Sequence, residues 1–188
     1  MPPFKVFILA LLFPSIACNY CIAQDDNNWV LDIRAKYHEI RGNLYAYDTT
    51  ELDLWGESTE GGHAVVYYEG HDLKLVEVVW YGETGKHQTD YYLDSMEVIF
   101  VFDQNFYYNK PIYWDENRVK ETGDNEVFDP TKTTVQENRY YFNNEKLFLW
   151  LDNDKKKQDM NLGKNLRVGV EIIIQFNELL SNLKISKD

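Results

Sequence analysis

The stretch YYLDSMEVIFVFD, Tyr91–Asp103, recurs later in the chain as YYFNNEKLFLWLD, Tyr140–Asp152. Both copies begin with a tyrosine pair, pass through a short polar step, continue through a run of large apolar residues and end on aspartate. A third copy, YYEGHDLKLVEVV at Tyr67–Val79, has one residue fewer before the apolar part. Apolar stretches joined by a polar step are typical of a β-hairpin, so the recurrence predicts a meander of repeated hairpins over about residues 57–152.

The sequence around these copies has the same pattern of short apolar stretches separated by turn residues. Glycine and asparagine in these turns accept a positive φ, which most residues resist. The pattern predicts antiparallel strands, and the connection Asp103–Thr134 is predicted to be long and poorly structured. The predicted strands lie near Ala46–Leu54, His63–Tyr68, Leu73–Tyr81, His87–Leu93, Val98–Phe102, Val135–Phe142 and Leu147–Leu151.

A helix is predicted on each side of this region. Apolar residues recur at helical spacing through Asn28–Leu44 and predict an N-terminal helix. Leu166–Leu183 has a broad apolar face and predicts a C-terminal helix, although the β-branched run Ile172–Ile174 has low helix propensity. The predicted fold class is α+β: an antiparallel β-meander of repeated hairpins flanked by an N-terminal and a C-terminal helix.

Alternation along a strand places the two tyrosines of each pair on opposite faces of the sheet. We predict that the first tyrosine of each pair packs inward and the second points outward. The inward members are Tyr67, Tyr91 and Tyr140, and the outward members are Tyr68, Tyr92 and Tyr141. The return strands VIFVF and LFLWL are apolar on both faces, which predicts central strands that are covered on both sides. The two helices are expected on one face, with the aromatic residues and the long connection, or a partner, on the other.

Three phrases carry a resemblance to known proteins: GESTEGGHAVVYYEG (Gly56–Gly70), YGETGKHQTDYYL (Tyr81–Leu93) and ENRYYFNNEKLFLWLD (Glu137–Asp152). They resemble exported bacterial proteins, often from Gram-negative bacteria, that carry tyrosine-rich hairpins. Tyr67–Tyr92 is more distantly similar to MORN-type hairpin repeats. The chain departs from the MORN pattern because glycine is missing from the turns at residues 94–97 and 143–146. The resemblance covers roughly Glu57–Asp152, implies an antiparallel meander, and supplies no catalytic residues.

The N-terminus MPPFKVFILALLFPSIACNYCIAQ has an early lysine, an apolar run and a small-residue exit, which is typical of a secretory signal. Cleavage after Cys21-Ile22-Ala23 predicts residues 1–24 as a signal peptide and residues 25–188 as a single α+β domain, secreted or periplasmic, with no transmembrane segment. The alternative is a lipid anchor on Cys18, although Ser15 suits a lipidation box poorly. Both cysteines lie in the signal, so the mature chain has no disulfide, thiolate nucleophile or cysteine metal site.

The formal net charge is −12 at pH 7. This charge repels nucleic-acid phosphate, so a nucleic-acid partner is not expected. A basic partner would be steered toward such a surface, although solubility alone also explains an acidic composition.

Motifs that carry chemistry are sparse, and no cofactor is expected. The four histidines, His38, His63, His71 and His87, have no metal-ligand spacing and are predicted to be exposed polar residues. DNDKKK at Asp152–Lys157 lacks the glycine and glutamate of a calcium loop and predicts a solvated turn. The phrase ESTEGG, with Glu57 and Glu60, is the best candidate for a catalytic carboxylate pair, although a solvated loop is the better interpretation of it.

The sequence therefore favours an exported binding protein for a protein or glycan in the cell envelope. One form of this hypothesis is an acidic inhibitor of a cationic hydrolase such as lysozyme. The outward residues Tyr68, Tyr92 and Tyr141 are the candidate binding residues, because exposed aromatic rings stack on sugars or anchor protein partners. Cross-strand packing that stabilises the sheet is nevertheless the preferred interpretation of these rings. Two other classes stay open: an envelope hydrolase that uses Glu57 and Glu60, and a structural component anchored by lipid on Cys18.

Overall fold

The computed structural model describes residues 18–56 and 58–183, with side chains from residue 27 onward. Most of the predicted signal, the side chain of Cys18, and Glu57 lie outside the described residues. The helices are α1 (Cys18–Gly42), α2 (Glu116–Thr122) and α3 (Gly163–Asn182). The strands are β1 (Asp48–Leu54), β2 (Gly62–Glu69), β3 (Asp72–Gly82), β4 (Gly85–Asp94), β5 (Glu97–Tyr107), β6 (Thr134–Asn143) and β7 (Lys146–Leu151).

The seven strands form one antiparallel sheet in the order β1-β2-β3-β4-β5-β6-β7, so every strand pairs with its neighbours in the chain. The predicted α+β meander with a helix at each end is confirmed. α1 begins at Cys18 rather than at Asn28, because no glycine or proline interrupts the helix between these residues. α2 was not predicted; the side chain of Asp115 accepts hydrogen bonds at its start, and Gly123 ends it in the left-handed conformation.

α1 and α3 lie on opposite faces of the sheet, so the prediction that both cover one face is wrong. Cross-strand neighbours divide the apolar residues into two layers, because successive residues of a strand face opposite ways. One layer, in the row Tyr67, Leu75, Tyr92, Phe100, Tyr141 and Leu149, packs against Ile33 and Ile40 of α1. The other, in the row Val66, Val76, Tyr91, Val101 and Tyr140, packs against Ile173, Phe176 and Leu180 of α3.

Each of the three hairpins contains a β-bulge in the strand that carries its tyrosine pair. Because of these bulges, the tyrosine pairs align differently from the prediction. The strand register shifts at Tyr67/Tyr68, at Tyr92/Leu93 and at Tyr141/Phe142. Measured from the two-residue turns, Tyr67 is therefore equivalent to Tyr92 and Tyr141, and not to Tyr91 and Tyr140. The pair in the first hairpin lies one residue closer to its turn, which moves Tyr67 to the α1 face.

Two predictions about the sheet periphery are also corrected. β7, with the apolar run LFLWL, is an edge strand rather than a central one. Its free edge is partly covered, because Leu151 bridges to Lys157 in the following loop and Gln158 donates its backbone N–H to the carbonyl of Trp150. The connection after Asp103 is ordered: β5 continues to Tyr107, and α2 follows.

A charged cluster lies between α1 and the sheet. Arg41 donates to Glu77 at 2.6 Å and to Asp90 at 2.5 Å, and Asp90 is only 1% exposed. The hydroxyl of Tyr67 donates to the other oxygen of Glu77 at 2.8 Å, and Gln88 donates to Asp90 at 3.2 Å. These bonds satisfy charges that would otherwise be costly to bury.

We expect Asp90 to make the stability of the fold depend on pH. Burial raises the pKa of this carboxyl from its ordinary 3.8 to about 6, even though Arg41 and Gln88 favour the charged form. The folded state then binds this proton more tightly than the unfolded state, so protonation favours folding. The free energy of unfolding of the wild type, minus that of Asp90→Asn, should therefore rise as the pH falls from 7 to 4. Urea denaturation of both proteins across this range measures the difference, and a difference that falls with decreasing pH contradicts it.

Candidate functional site

On the α3 face, the strands change from apolar to polar toward the turn between β3 and β4. Along β4, the residues on this face are Tyr91, Thr89 and His87, and on β5 Asp103 follows Val101. Here the sheet and residues 168–182 of α3 enclose a cleft of about 700 Å³. We call it the α3 cleft. Its size is in the range of small-molecule and side-chain binding sites.

The floor of the α3 cleft holds three polar side chains that contact one another. Nε2 of His87 lies 2.5 Å from Oδ1 of Asp103. Thr89 stands directly opposite Asp103 in the β4–β5 ladder and donates its hydroxyl to the same oxygen at 3.3 Å. The contact between His87 and Asp103 becomes an ion pair when the imidazole is protonated. Among the described residues, Oδ2 of Asp103 accepts no side-chain hydrogen bond and remains for a ligand.

The walls of the α3 cleft come from α3 and from β3. α3 contributes the polar residues Glu171, Gln175 and Glu178 beside the apolar Ile172 and Leu179. β3 contributes Trp80, whose indole lies on the backbone of Gly62; a Cβ atom at position 62 would be 2.5 Å from the ring. The remaining lining residues are Val78, Tyr91, Val101, Tyr140, Val168 and Asn182.

The electrostatics of the α3 cleft are acidic. Three carboxylates line it, those of Asp103, Glu171 and Glu178, and no lysine or arginine is among the described lining residues. Burial, and then the negative charge of Asp103, raise the pKa of the Tyr91 and Tyr140 hydroxyls. Both hydroxyls therefore stay protonated at neutral pH.

The arrangement differs from that of a nucleophilic catalytic triad. In such a triad, one imidazole nitrogen binds the nucleophile and the other binds the carboxylate. Here Nε2 of His87 faces both Thr89, at 3.4 Å, and Asp103. Within residues 18–56 and 58–183, no group of three or more His, Cys, Asp or Glu side chains is placed to hold a metal ion. The geometry is suited to holding a ligand with hydrogen-bond donors or positive charge.

The predicted outward tyrosines do not line an exposed face. Tyr92 is 0% exposed and Tyr141 is 4% exposed, and both pack under α1. The prediction of exposed rings is wrong for these two residues, because the sheet is covered on both faces. Tyr68 is half-buried on the opposite face, against the core layer under α3. The three residues therefore share no surface.

The other candidate residues from the sequence lie apart from the α3 cleft. Glu60 is exposed in the turn before β2, and its proposed partner Glu57 lies outside the described residues. His38 and His71 are exposed, as predicted, but the prediction is wrong for His63 on β2 and His87 on β4, which are half-buried. Asp152 begins a turn in which its side chain accepts the backbone N–H groups of Asp154 and Lys156, at 3.0 and 2.9 Å.

Sequence reasoning missed His87 and Asp103 as functional candidates. In the sequence, Asp103 stands out only as the last residue of the repeated phrase, and His87 is an isolated histidine. A usable signal was present: HQTDYY, residues 87–92, places the polar His87 and Thr89 on the same face as Tyr91, in a sheet predicted to be covered on both sides. Polar residues at covered strand positions indicate a site.

No protein-family model, curated protein or solved structure matches the chain. No described helix is long and apolar enough to cross a membrane.

Proposed function

We propose that the protein is a binding protein whose α3 cleft holds a lysine or arginine side chain of a basic partner protein. The observation that carries this proposal is the charge of the α3 cleft: three carboxylates line it, and the described lining residues include no lysine or arginine to balance them. The net charge of −12 steers a basic partner toward the protein before contact.

The lining of the α3 cleft matches the two parts of a long basic side chain. Such a side chain has an apolar stem and a charged head that seek different surroundings. Ile172 and Leu179 offer apolar contact for the stem, and Asp103 offers its free Oδ2 to the head. Arginine fits this site best, because its planar guanidinium forms paired hydrogen bonds with carboxylates and also stacks on an aromatic ring such as that of Trp80.

The proposal extends to the setting in which the protein acts. The N-terminal segment, with the features of a secretory signal, supports a location in the cell envelope or outside the cell. An acidic inhibitor of a cationic hydrolase is the specific form that this location and charge favour. Unchanged lysozyme activity at low salt in the presence of the protein would eliminate lysozyme as the target.

We expect the carboxylates of α3 to determine affinity for a basic ligand. The probe is a short blocked peptide with one central arginine, and the matched neutral peptide carries citrulline. The arginine peptide should bind more tightly. Glu171→Gln/Glu178→Gln should weaken it by about threefold to tenfold, because both carboxylates are exposed and an exposed ion pair contributes up to about 1 kcal/mol. Calorimetric titration at low and high salt measures both effects.

The control variant is Glu116→Gln/Glu121→Gln, which removes the same two charges from the exposed helix α2. This variant changes the net charge by the same amount, and it should change the affinity for the arginine peptide less than twofold. Equal weakening by both double variants would show a nonspecific charge effect and reject the α3 cleft as the binding site. Equal binding of the arginine and citrulline peptides would reject a cationic ligand.

A glycan is the second candidate ligand, and Trp80 is the observation that favours it. An indole ring beside planar polar side chains, here those of Gln175 and Asn182, offers a sugar both a stacking surface and hydrogen bonds. Titration with a chitooligosaccharide tests this candidate. Saturable binding that is lost in Trp80→Ala and insensitive to salt would favour the glycan over the basic side chain.

A further inference from the structure

A second cavity of about 220 Å³ lies on the opposite face of the sheet, between α1 and strands β5 and β6. We call it the α1 cavity. Its apolar part is formed by Ile33, Phe100 and Tyr141, which are all buried, together with Phe102 and Tyr37. The volume corresponds to about seven water molecules at roughly 30 Å³ each in the liquid. A compact organic molecule fits such a space.

The charge of the α1 cavity is opposite to that of the rest of the protein. Its charged or protonatable side chains, apart from tyrosine, are Arg34, His38 and Arg139, and no aspartate or glutamate is among the described lining residues. In a chain with a net charge of −12, such a concentration of basic groups is a local exception. It creates a positive potential beside an apolar wall.

Arg139 is held in place but has unused hydrogen-bonding capacity. Its Nη2 donates to Glu137 at 2.5 Å, and its guanidinium lies 4.8 Å from the ring centre of Phe102. Gln104 donates to the other oxygen of Glu137 at 3.2 Å, which fixes the position of that carboxylate. The second terminal nitrogen, Nη1, is buried and has no hydrogen-bond partner among the described residues. A buried donor without a partner is destabilising, and an acceptor placed against it would remove that cost.

We propose that the α1 cavity binds a small organic anion: a carboxylate carried on a compact aromatic or branched apolar body. The apolar body contacts Phe100 and Tyr141, and the carboxylate accepts hydrogen bonds from Arg139. Arg34, exposed on α1 and without an ion pair among the described residues, closes over the carboxylate from the solvent side. The α1 cavity is thus a second site, independent of the α3 cleft and selective for the opposite charge.

The structure argues against neutral and cationic ligands for the α1 cavity. A neutral molecule of the same shape fills the apolar part but supplies no counter-charge for Arg34 and no charged acceptor for Nη1 of Arg139. A cation is repelled by the remaining positive charge, because Glu137 balances only Arg139 and leaves Arg34 unbalanced among the described residues. Selectivity for the carboxylate is therefore the property that separates this proposal from nonspecific occupation of an apolar hole.

The experiment compares three probes that share a ring and differ in charge: benzoate, benzamide and benzylamine. Calorimetry or ligand-observed NMR should show saturable binding of benzoate, at least tenfold weaker binding of benzamide, and no binding of benzylamine. Arg139→Gln should weaken benzoate binding at least tenfold and Arg34→Gln about threefold, since only Arg139 is half-buried. Arg118→Gln, which removes an exposed arginine from α2, should leave benzoate binding unchanged.

Several results would overturn the proposal. These are equal affinity for benzoate and benzamide, equal weakening by Arg118→Gln and Arg34→Gln, and absence of saturable benzoate binding to the wild type at millimolar concentration. If Arg139→Gln does not fold, Arg34→Gln and the NMR shifts of Ile33 in the wild type decide the question. The arginine peptide of the α3 cleft should not compete with benzoate, so failure at one site is distinguishable from failure at the other.

Discussion

We expect Arg41→Ala to lower the free energy of unfolding by about 3 to 5 kcal/mol, the cost of removing one partner of a buried ion pair. Arg41 is the cation that contacts Asp90 beneath α1, and the variant leaves the carboxylate of Asp90 buried with Gln88 as its remaining side-chain donor among the described residues. Glu77 loses its ion pair in the same substitution. The guanidinium also lies 5.3 Å from the ring centre of Tyr92, so the aromatic layer loses a cation–π contact.

Urea denaturation at pH 7 measures this loss. Arg118→Ala is the matched control, because Arg118 is 54% exposed and its ion pair with Glu121 is long, at 3.4 Å; it should change stability by less than about 1 kcal/mol. The double variant Arg41→Ala/Asp90→Asn should recover part of the loss, since it also removes the buried negative charge. Equal effects of Arg41→Ala and Arg118→Ala would show that the buried cluster contributes nothing specific.

Phe176→Ala should lower the free energy of unfolding by about 3 to 5 kcal/mol, the usual cost of truncating a buried phenylalanine. Phe176 is 0% exposed, and its ring centre lies 4.8 Å from that of Tyr91. The side chain joins α3 to the centre of the sheet, so its removal leaves a cavity between them. The same variant should weaken binding of the arginine peptide, because Glu171 and Glu178 are positioned by the docked helix.

Val170→Ala is the control for this substitution. Val170 lies on the same helix but is 59% exposed, so its truncation should cost less than about 0.5 kcal/mol. Urea denaturation compares the two variants directly. If Phe176→Ala costs no more than Val170→Ala, then α3 does not depend on Phe176 for its attachment to the sheet.

Both predictions depend on a sheet that is covered on its two faces. The sequence indicated that both faces are covered but not which element covers each face. The apolar runs VIFVF and LFLWL indicated that both faces are covered, and the turn residues separated the seven strands, although β5 continues to Tyr107 past its predicted end at Phe102. Which helix covers which face was not readable. Each helix has an apolar stripe that suits either face, and the choice depends on how the whole chain packs.

For the candidate site too, the sequence shows the residues but not their arrangement in space. His87, Thr89 and Asp103 are visible in the sequence, but they become neighbours only through the register of β4 against β5, which sets Thr89 opposite Asp103. That register is shifted by the bulge at Tyr92/Leu93. A bulge changes which residues share a face and leaves no clear pattern of its own in the apolar periodicity, which is why Tyr68, Tyr92 and Tyr141 were grouped incorrectly.

Local sequence therefore determined the elements of this protein: seven strands from alternation and turn residues, two helices from apolar spacing, and a repeated hairpin from the recurring tyrosine pair. Only the tertiary structure decided that all the repeated tyrosines except Tyr67 and Tyr68 are buried, and that an acidic cleft and a basic cavity lie on opposite faces of the sheet. The physical reason is the distance in sequence between the residues that interact. Strand and turn preferences act between residues close in the chain, whereas α3 meets Asp103 and α1 meets Arg139 through packing between segments that are distant in sequence.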